Sequence, residues 1–285
     1  MRFVLRTAGA SLAALLLLTG TLSAHATTIG ELPEVKSTEL TDSASLLALI
    51  NSEIQLSTPD YNPSDLRAVA GTTHQLREEA ADALEALLQD ARQSGHRIQL
   101  LSAFRSYERQ RVLFNGYESK YGTTYAERIS ARPGTSEHQL GLAADLGYGG
   151  GNCELRICFG DTPAGLWLKN HASDHGFIIR YPAGEEEVTG YSYEPWHLRY
   201  IGTAHAQAMR EAQIPTFEEY YELLIEQVAR TSSEPTQNAV ETSPADDSAP
   251  WAPVKEATSE TEQSDDLVVL RFLPPYRDWS FGISR

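Results

Sequence analysis

The stretch of sequence that decides the fold runs Ser136-Glu137-His138-Gln139-Leu140-Gly141-Leu142-Ala143-Ala144-Asp145. An imidazole near its start and a carboxylate at its end flank small and apolar residues, among which an uncompensated charge is expensive to bury. A second stretch, Glu194-Pro195-Trp196-His197, adds another imidazole and a Glu three residues before it. Two His and one Asp can bind zinc and leave one position open for a water, whose pKa zinc lowers to about 7. The residues of the two stretches, His138, Asp145 and His197, could together form such a site, and Glu194 is close enough to His197 in sequence to meet the same metal.

A rival pair of histidines lies at His171 and His175, spaced four residues apart on a predicted helix. The zincin motif needs a Glu directly after the first His, and the residue there is Ala172. We therefore interpret the rival pair as helix packing and a polar helix end, not as a metal site.

Four blocks, in order along the chain, resemble the zinc D-alanyl-D-alanine carboxypeptidases of the VanY type, which share their fold with hedgehog and lysostaphin-type peptidases. The family signature Ser-x-His-x-x-Gly-x-Ala-x-Asp is matched from Ser136 to Asp145, and Glu-x-Trp-His is matched from Glu194 to His197. The resemblance covers the chain from Leu46 to Ile201. The remaining similar residues are Ser102-Ala103-Phe104-Arg105-Ser106-Tyr107 with Gln110, Gly176-Phe177 with Arg180-Tyr181-Pro182, and the residues that flank the second signature, from Thr189-Gly190-Tyr191 to Arg199-Tyr200.

The resemblance implies an α+β fold with a central antiparallel sheet flanked by helices. It implies one zinc ion per chain, with His138, Asp145 and His197 as ligands and Glu194 as the catalytic base.

The resemblance also implies substrate contacts. Arg105 is expected to be the cation that faces the substrate, and Ser136 and Gln110 are expected to touch the terminal part of the peptide. Trp196 is expected either at the wall of the site or as a plain core aromatic. Ala103 and Phe104 replace the family's usual Gly-Tyr before the arginine, which could trim the pocket but keeps the cation.

The predicted function is removal of the C-terminal D-alanine of peptidoglycan stem peptides by a D,D-carboxypeptidase. L,D-carboxypeptidase action on a tetrapeptide is a close alternative, because the same type of site serves both. Two further alternatives are a zinc-containing cell-wall binding module without turnover and a metal-free peptidoglycan-binding protein. The presence of Glu194 and Arg105 argues against the first of these, and the presence of all three ligands argues against the second.

The N-terminus has the pattern of a secretory signal peptide over residues 1–26. Arg2 and Arg6 precede an apolar run from Ala8 to Leu22, and Ala24-His25-Ala26 is a small-x-small cleavage site. The alternative is an uncleaved membrane anchor, but the run is short for a span of about 20 apolar residues. We therefore expect an exported protein, periplasmic or secreted and cell-wall associated, whose mature chain begins near Thr27.

Export places Cys153 and Cys158, the only two cysteines, in an oxidising compartment. They lie in one short loop, where a disulfide would stabilise little through chain entropy and would serve to hold the loop's shape. We predict that they are bonded; the alternative is a pair of free buried thiols.

The charge distribution divides the chain. The 285 residues carry a formal net charge of −16, which disfavours non-specific binding to nucleic acid. Nine acidic residues and one basic residue fall within 231–266, a segment without Leu, Ile or Phe that cannot form a core. We therefore expect a loose segment at 27–43, a zinc peptidase domain at 44–230, a disordered acidic linker at 231–266, and a C-terminal segment of unknown role at 267–285.

Hydrophobic periodicity and turn residues place the secondary structure of the domain. Residues 45–56 could begin a helix or form a short strand. The predicted helices are Thr73–Gly95, Tyr107–Tyr117, Thr162–His175, Thr203–Met209 and Phe217–Ala229, and the predicted strands are Arg97–Ala103 and Phe177–Tyr181.

Overall fold

A computed structural model describes residues 32–149 and 151–233. The predicted signal peptide, most of the acidic linker and the segment 267–285 lie outside the described residues. No helix in the described ranges is long and apolar enough to cross a membrane.

The predicted α+β class is confirmed: short strands and helices alternate irregularly along the chain. The helices are α1 Ser37–Thr41, α2 Glu78–Gln93, α3 Tyr107–Tyr121, α4 Thr123–Ile129, α5 Pro163–His171, α6 Glu186–Thr189, α7 Thr203–Glu211 and α8 Phe217–Ser233. The strands are β1 Leu66–Ala68, β2 Gln75–Arg77, β3 Gln99–Ser102, β4 Ala143–Gly147, β5 Phe177–Ile179 and β6 His197–Tyr200.

The central sheet is antiparallel, with strand order β3-β4-β6-β5. All five residues of β4 are buried, which explains why this strand consists of small and apolar residues around one aspartate. Its register places Asp145 directly opposite His197 on β6 and Ser102 on β3. Sheet pairing thus brings together residues that are more than fifty positions apart in the chain. β1 and β2 form a separate two-stranded antiparallel sheet.

Two hydrophobic clusters enclose the central sheet. One contains the apolar face of α2, including Leu84 and Leu87, together with Phe177 of β5. The other contains Ile178, the next residue along β5, and the apolar faces of α7 and α8. Because successive side chains of a strand point to opposite faces, this alternation shows that both faces of the sheet are covered.

Two secondary-structure predictions need correction near α2 and upstream of it. The helix begins at Glu78, not at Thr73, because Gln75–Arg77 pair with β1 and bury Leu76 in the core. Residues 45–56 form neither helix nor strand but a series of turns. Asn51 Oδ1 accepts hydrogen bonds from the backbone N–H groups of Glu53 and Ile54.

The expectation that residues 27–43 are loose is wrong for the part that the structure describes. Leu40 on α1 is only 6% exposed and belongs to the cluster under α8. Tyr221 Oη of α8 donates a hydrogen bond to the Leu40 carbonyl. Residues 32–43 therefore pack on the domain, since Leu32, Val35 and Leu40 supply enough apolar surface to hold the segment in place.

The domain boundaries generate the first prediction. A chain ending at Ser233 should keep the melting temperature and the zinc of the full-length chain, because it retains the described residues among which Phe217, Tyr220 and Leu224 of α8 are buried. A chain ending at Ile214 should not fold, since it loses Phe217, Tyr220 and Leu224, all 0% exposed. Each fully buried large apolar side chain contributes about 1.5–3 kcal/mol, against a total stability of about 5–15 kcal/mol. Thermal melts of both shortened chains and of the full-length chain check this. A lower melting temperature for the chain ending at Ser233 than for the full-length chain would show that the boundary is drawn wrongly.

Candidate zinc centre

Three buried donors converge on the two inner strands of the central sheet, β4 and β6, and on the turn before β4. His138, Asp145 and His197 each offer an atom, and these atoms all lie within 4.8 Å of one another. His138 Nε2 lies 3.2 Å from Asp145 Oδ2, and His197 Nδ1 lies 3.1 Å from Asp145 Oδ1. The three residues are 4–6% exposed. The structure therefore brings together the three residues that the sequence predicted as ligands.

Local geometry explains the spacing of the first signature. His138 lies in a 3₁₀ turn, Glu137–Leu140, which ends at Gly141 in the left-handed conformation, with φ +68°. A Cβ at Gly141 would lie 2.9 Å from Leu66 Cδ2 and 3.1 Å from Arg77 Cγ. Only glycine avoids both the strained φ and this crowding. The turn then leads directly into β4, which carries Asp145.

The outer nitrogens of the two imidazoles are already engaged. His138 Nδ1 lies 2.7 Å from the Ala103 carbonyl, which can only accept, so this nitrogen donates and Nε2 keeps its lone pair toward the cluster. His197 Nε2 lies 3.4 Å from Glu137 Oε2, and Nδ1 points toward Asp145. Two imidazole nitrogens and a carboxylate then face one another, an arrangement that fits a divalent cation and matches the donor types that zinc takes.

Protonation and metal binding compete at His197. Burial alone lowers the pKa of His197, but its hydrogen bonds with Asp145 and Glu137 outweigh burial and raise it to about 9. At His138, by contrast, burial dominates and lowers the pKa. A metal must displace the proton from His197, so zinc binding should release a proton at neutral pH.

Glu137, to which sequence reasoning gave no role, is the second carboxylate of the centre. Its side chain is 0% exposed, and Oε1 accepts hydrogen bonds from Arg180 Nε and Arg199 Nη1, each at 2.7 Å. Burial raises the pKa of Glu137, but Arg180 and Arg199 outweigh it and hold this pKa well below its usual range. The ionised carboxylate can thus hold His197 in one orientation. The sequence signal was present, because Glu137 lies inside the signature and Arg180 and Arg199 lie inside matched blocks.

Glu194 lies beside the donors without joining them. Its Oε2 is 3.9 Å from His197 Nδ1, and its side chain is 21% exposed. Burial raises the pKa of Glu194 to about 7, and the negative charge of Asp145 adds to this, while His197 and Arg105 act against it. A carboxylate with a pKa near neutrality can both accept and return a proton.

Arg105 lines the same cleft and is held by its neighbours. Its Nη1 donates to Gln110 Oε1 at 2.8 Å, its Nη2 donates to Ser102 Oγ at 3.1 Å, and its backbone N–H donates to the His138 carbonyl at 3.1 Å. Burial lowers the pKa of Arg105, although an arginine remains charged at neutral pH. These contacts orient the guanidinium and leave it accessible from the cleft.

Gln110 occupies a different place from the one expected. It is 0% exposed and does not line the cleft. Its Nε2 donates to Ser130 Oγ at 3.1 Å and to the Ala131 carbonyl at 2.6 Å, while its Oε1 accepts from Arg105. Its side-chain oxygen and nitrogen are thus both engaged, and Gln110 supports Arg105 from behind the cleft lining in this structure. Helix α3 buries this side chain, which a motif alone does not reveal.

The donors, Glu194 and Arg105 line one cleft of about 700 Å³. Ser136 and Trp196 also line it, and Trp196 packs against the hydrophobic core as well. Tyr181 and Tyr191 add aromatic lining that sequence reasoning did not single out.

The rival histidines form no comparable cluster. His171 stacks on Trp167, with ring centroids 4.7 Å apart, and its Nδ1 lies 3.5 Å from Asp174. His175 Nε2 lies 3.3 Å from Asp90. Among the described residues, the one group of three or more potential ligands is His138, Asp145 and His197. The two histidines lie in different elements, since α5 ends at His171 and a 3₁₀ turn, Ala172–His175, follows it, and each has a different acidic partner.

Comparisons with known proteins agree with this geometry. Residues 73–203 match the VanY family, described as D-alanyl-D-alanine carboxypeptidase. The bifunctional D-Ala-D-Ala dipeptidase and D-Ala-D-Ala carboxypeptidase VanXYC of Enterococcus gallinarum is 40% identical over 133 residues, which cover 46% of this chain and 70% of that protein. The chain belongs to the VanY family of D-alanyl-D-alanine carboxypeptidases.

Solved structures extend the comparison to fold and metal. The LD-carboxypeptidase LdcB is 36% identical with a TM-score of 0.62, and the match covers 66% of this chain and 97% of that one. A mutant of the D,D-pentapeptidase VanY from a VanB-type vancomycin-resistance cassette, solved with Zn(II), is 29% identical with a TM-score of 0.52, over 61% of this chain and 97% of that one. The VanY-family protein is thus a zinc carboxypeptidase with a DD/LD-peptidase fold, and the two binding-protein alternatives are not supported.

The cluster generates the second prediction. The purified VanY-family protein should contain one zinc per chain, His197→Ala should lose it, and the control His171→Ala should keep it. The physical reason is that removing a ligand leaves two donors, fewer than a stable zinc site needs. Elemental analysis of the three proteins checks this. If His197→Ala contained as much zinc as the unmodified protein and His171→Ala contained none, the metal site would instead be assigned to His171 and His175.

Proposed function

We propose that this protein removes the C-terminal D-alanine from peptidoglycan stem peptides, as a D,D-carboxypeptidase, with His138, Asp145 and His197 as the zinc ligands. The observation that carries the proposal is the presence of a half-buried cation, Arg105, in the same cleft as the three donors and Glu194. A carboxypeptidase must recognise a free terminal carboxylate, which the substrate of an endopeptidase lacks at this position. The planar, permanently charged guanidinium suits that carboxylate.

The order of events follows from the side chains. Arg105 binds the terminal carboxylate and thereby fixes which peptide bond lies beside the donors. His138, Asp145 and His197 would hold the zinc ion, which would supply Lewis-acid chemistry by lowering the pKa of a water. Glu194 accepts the water's proton and then donates it to the leaving amine, so that one carboxylate performs both transfers. Ser136 and Trp196 line the same cleft, where Ser136 would contact the terminal part of the peptide and Trp196 would form part of the wall.

L,D-carboxypeptidase action on tetrapeptides remains a second candidate. It is favoured by the match to LdcB, whose fold covers two thirds of this chain. Arg105 would bind the terminal carboxylate in either reaction. The two activities differ in the configuration of the residue before the scissile bond. Which substrate the enzyme prefers therefore depends on the part of the cleft that receives this residue.

The proposed setting is the cell wall. The family's substrates are peptidoglycan peptides, which suggests extracytoplasmic action. The predicted signal peptide at 1–26 supports export through cleavage near Thr27. The disulfide between Cys153 and Cys158 suits an oxidising compartment.

The third prediction concerns Glu194. Glu194→Gln keeps the shape of the side chain but can neither accept nor return the proton, and Glu194 is not among the three proposed ligands. The variant should therefore keep zinc and bind peptide, while its kcat falls by about 10²- to 10⁴-fold or more. Kinetics on defined penta- and tetrapeptides, with product mass spectrometry and zinc analysis, check this. Near-normal turnover by the variant would refute the mechanism.

The fourth prediction concerns Arg105. Amidation of the substrate's C-terminus should remove most of the rate, because the guanidinium then faces a neutral group. Arg105→Lys keeps the charge but loses the two-pronged geometry, so its KM for the acid should rise. The comparison is kcat/KM for the acid and the amide with both enzymes. Equal turnover of acid and amide by the unmodified enzyme would indicate an endopeptidase.

A further inference from the structure

The loop closed by the disulfide between Cys153 and Cys158, residues 153–158, borders the zinc cleft. Leu155, Arg156, Ile157 and Cys158 of this disulfide loop all line the cleft. The proposed function above uses none of them. Their position raises the question of which part of a substrate they would meet.

The mouth of the cleft is apolar to an unusual degree. Leu155 is 46% exposed and Ile157 is 58% exposed on the disulfide loop, and Ile129, at the end of α4, is 42% exposed. These account for three of the seven exposed large hydrophobic residues among the described ones. All three line the cleft. Exposed apolar groups gathered at one opening indicate a contact surface for a ligand.

The charge at the mouth is positive. Within the described ranges, Arg128 and Arg156 are the only exposed charged residues that line the cleft. Neither forms an ion pair with a described residue, and the hydrogen bond recorded for Arg156 reaches the Asn152 carbonyl at 3.5 Å. The chain as a whole carries −16, so two unpaired cations here oppose the general repulsion of an anionic substrate.

The disulfide loop is held in shape before any ligand arrives. Its two ends are joined covalently, with a Cα–Cα distance of 5.4 Å. Leu155 adopts a left-handed backbone conformation, with φ +50°, and Phe159, directly after the loop, is 0% exposed in the core. A loop fixed in this way binds without a large ordering cost.

We infer that the disulfide loop and the end of α4 form a subsite for a side chain upstream of the scissile bond, one whose aliphatic stem ends in a carboxylate. The inference rests on the proposed function, since Arg105 takes the terminal carboxylate and leaves Arg128 and Arg156 for a second one. Leu155, Ile157 and Ile129 would contact the stem. A side chain ending in an ammonium group alone would meet two like charges.

Three peptides test the inference, and they differ only in the group on the last carbon of one side chain: a carboxylate, a carboxamide or a hydrogen. They share one sequence ending in D-alanine and carry, as the third residue, diaminopimelate, diaminopimelate with its side-chain carboxylate amidated, or lysine. The zinc-loaded wild type should turn over the acid with a kcat/KM about three- to tenfold above the other two, mainly through KM, because partly exposed ion pairs are individually weak. The preference should shrink in high salt, which screens exposed charges.

Variants locate the effect. Arg156→Gln and Arg128→Gln should each lower the ratio of kcat/KM for acid over amide by about two- to threefold. Arg92→Gln is the matched control, since Arg92 is exposed and does not line the cleft, and it should keep the wild-type ratio. The double change Cys153→Ser with Cys158→Ser should lower the ratio as Arg156→Gln does, because the loop is no longer closed. A ratio, unlike a rate, is insensitive to the fraction of active enzyme.

Two results would overturn the inference. One is equal kcat/KM for the three peptides; the other is a preference for the acid that survives both arginine substitutions. If the wild type hydrolyses none of the peptides, the proposed function fails and binding of the same three peptides by calorimetry decides the subsite. Tighter binding of the acid, reduced in Arg156→Gln, would support the subsite, and equal binding would reject it.

Discussion

The structure depends on one buried carboxylate, Glu137, placed between two buried arginines. The side chains of Arg180, Arg199 and Glu137 are all 0% exposed, and each charge would strongly destabilise the core without the others. Arg180 also pairs with Glu218 on α8, through bonds of 2.6 and 2.8 Å. Arg199 donates to the Leu46 and Ala48 carbonyls, both at 2.8 Å. Through these two arginines, one carboxylate connects the turns at residues 45–56, the central sheet and helix α8.

The same carboxylate reaches the metal centre. Glu137 Oε1 accepts from the arginines, while Oε2 faces His197 Nε2. A ligand histidine whose second nitrogen is held by a carboxylate keeps one ring orientation and presents its other nitrogen to the metal. Phe217 lies against both guanidinium groups, at 5.7 Å from Arg180 and 5.3 Å from Arg199. Helix α8 therefore packs against the two arginines that hold Glu137, and Glu137 in turn orients His197, a proposed zinc ligand.

The cleft divides recognition between a buried part and an exposed part. Arg105 is deep, held by Gln110 and Ser102, and suits a group that every substrate of the reaction has. Arg156 and Arg128 lie at the mouth, where charges are screened and contacts are weaker. The deep contacts of Arg105 recognise a group common to all substrates, whereas the exposed contacts of Arg128 and Arg156 can only make one substrate preferred over another. The disulfide loop belongs to the second kind and departs from the family's matched blocks.

The sequence alone determined the α+β class, the four blocks of the family and the three residues that the structure gathers at the site, because these depend on residue types at fixed local spacings. Spacing within a turn and a strand places His138 and Asp145, and local periodicity places most of the helices. Tertiary structure alone decided that Gln110 supports Arg105, that Leu40 packs under α8, and that the disulfide loop borders the cleft. It also decided that Glu137, Arg180, Arg199 and Glu218 form one network. These are contacts between residues up to 181 positions apart, and no local pattern encodes them, since the pairing arises only when the sheet and α8 are packed together.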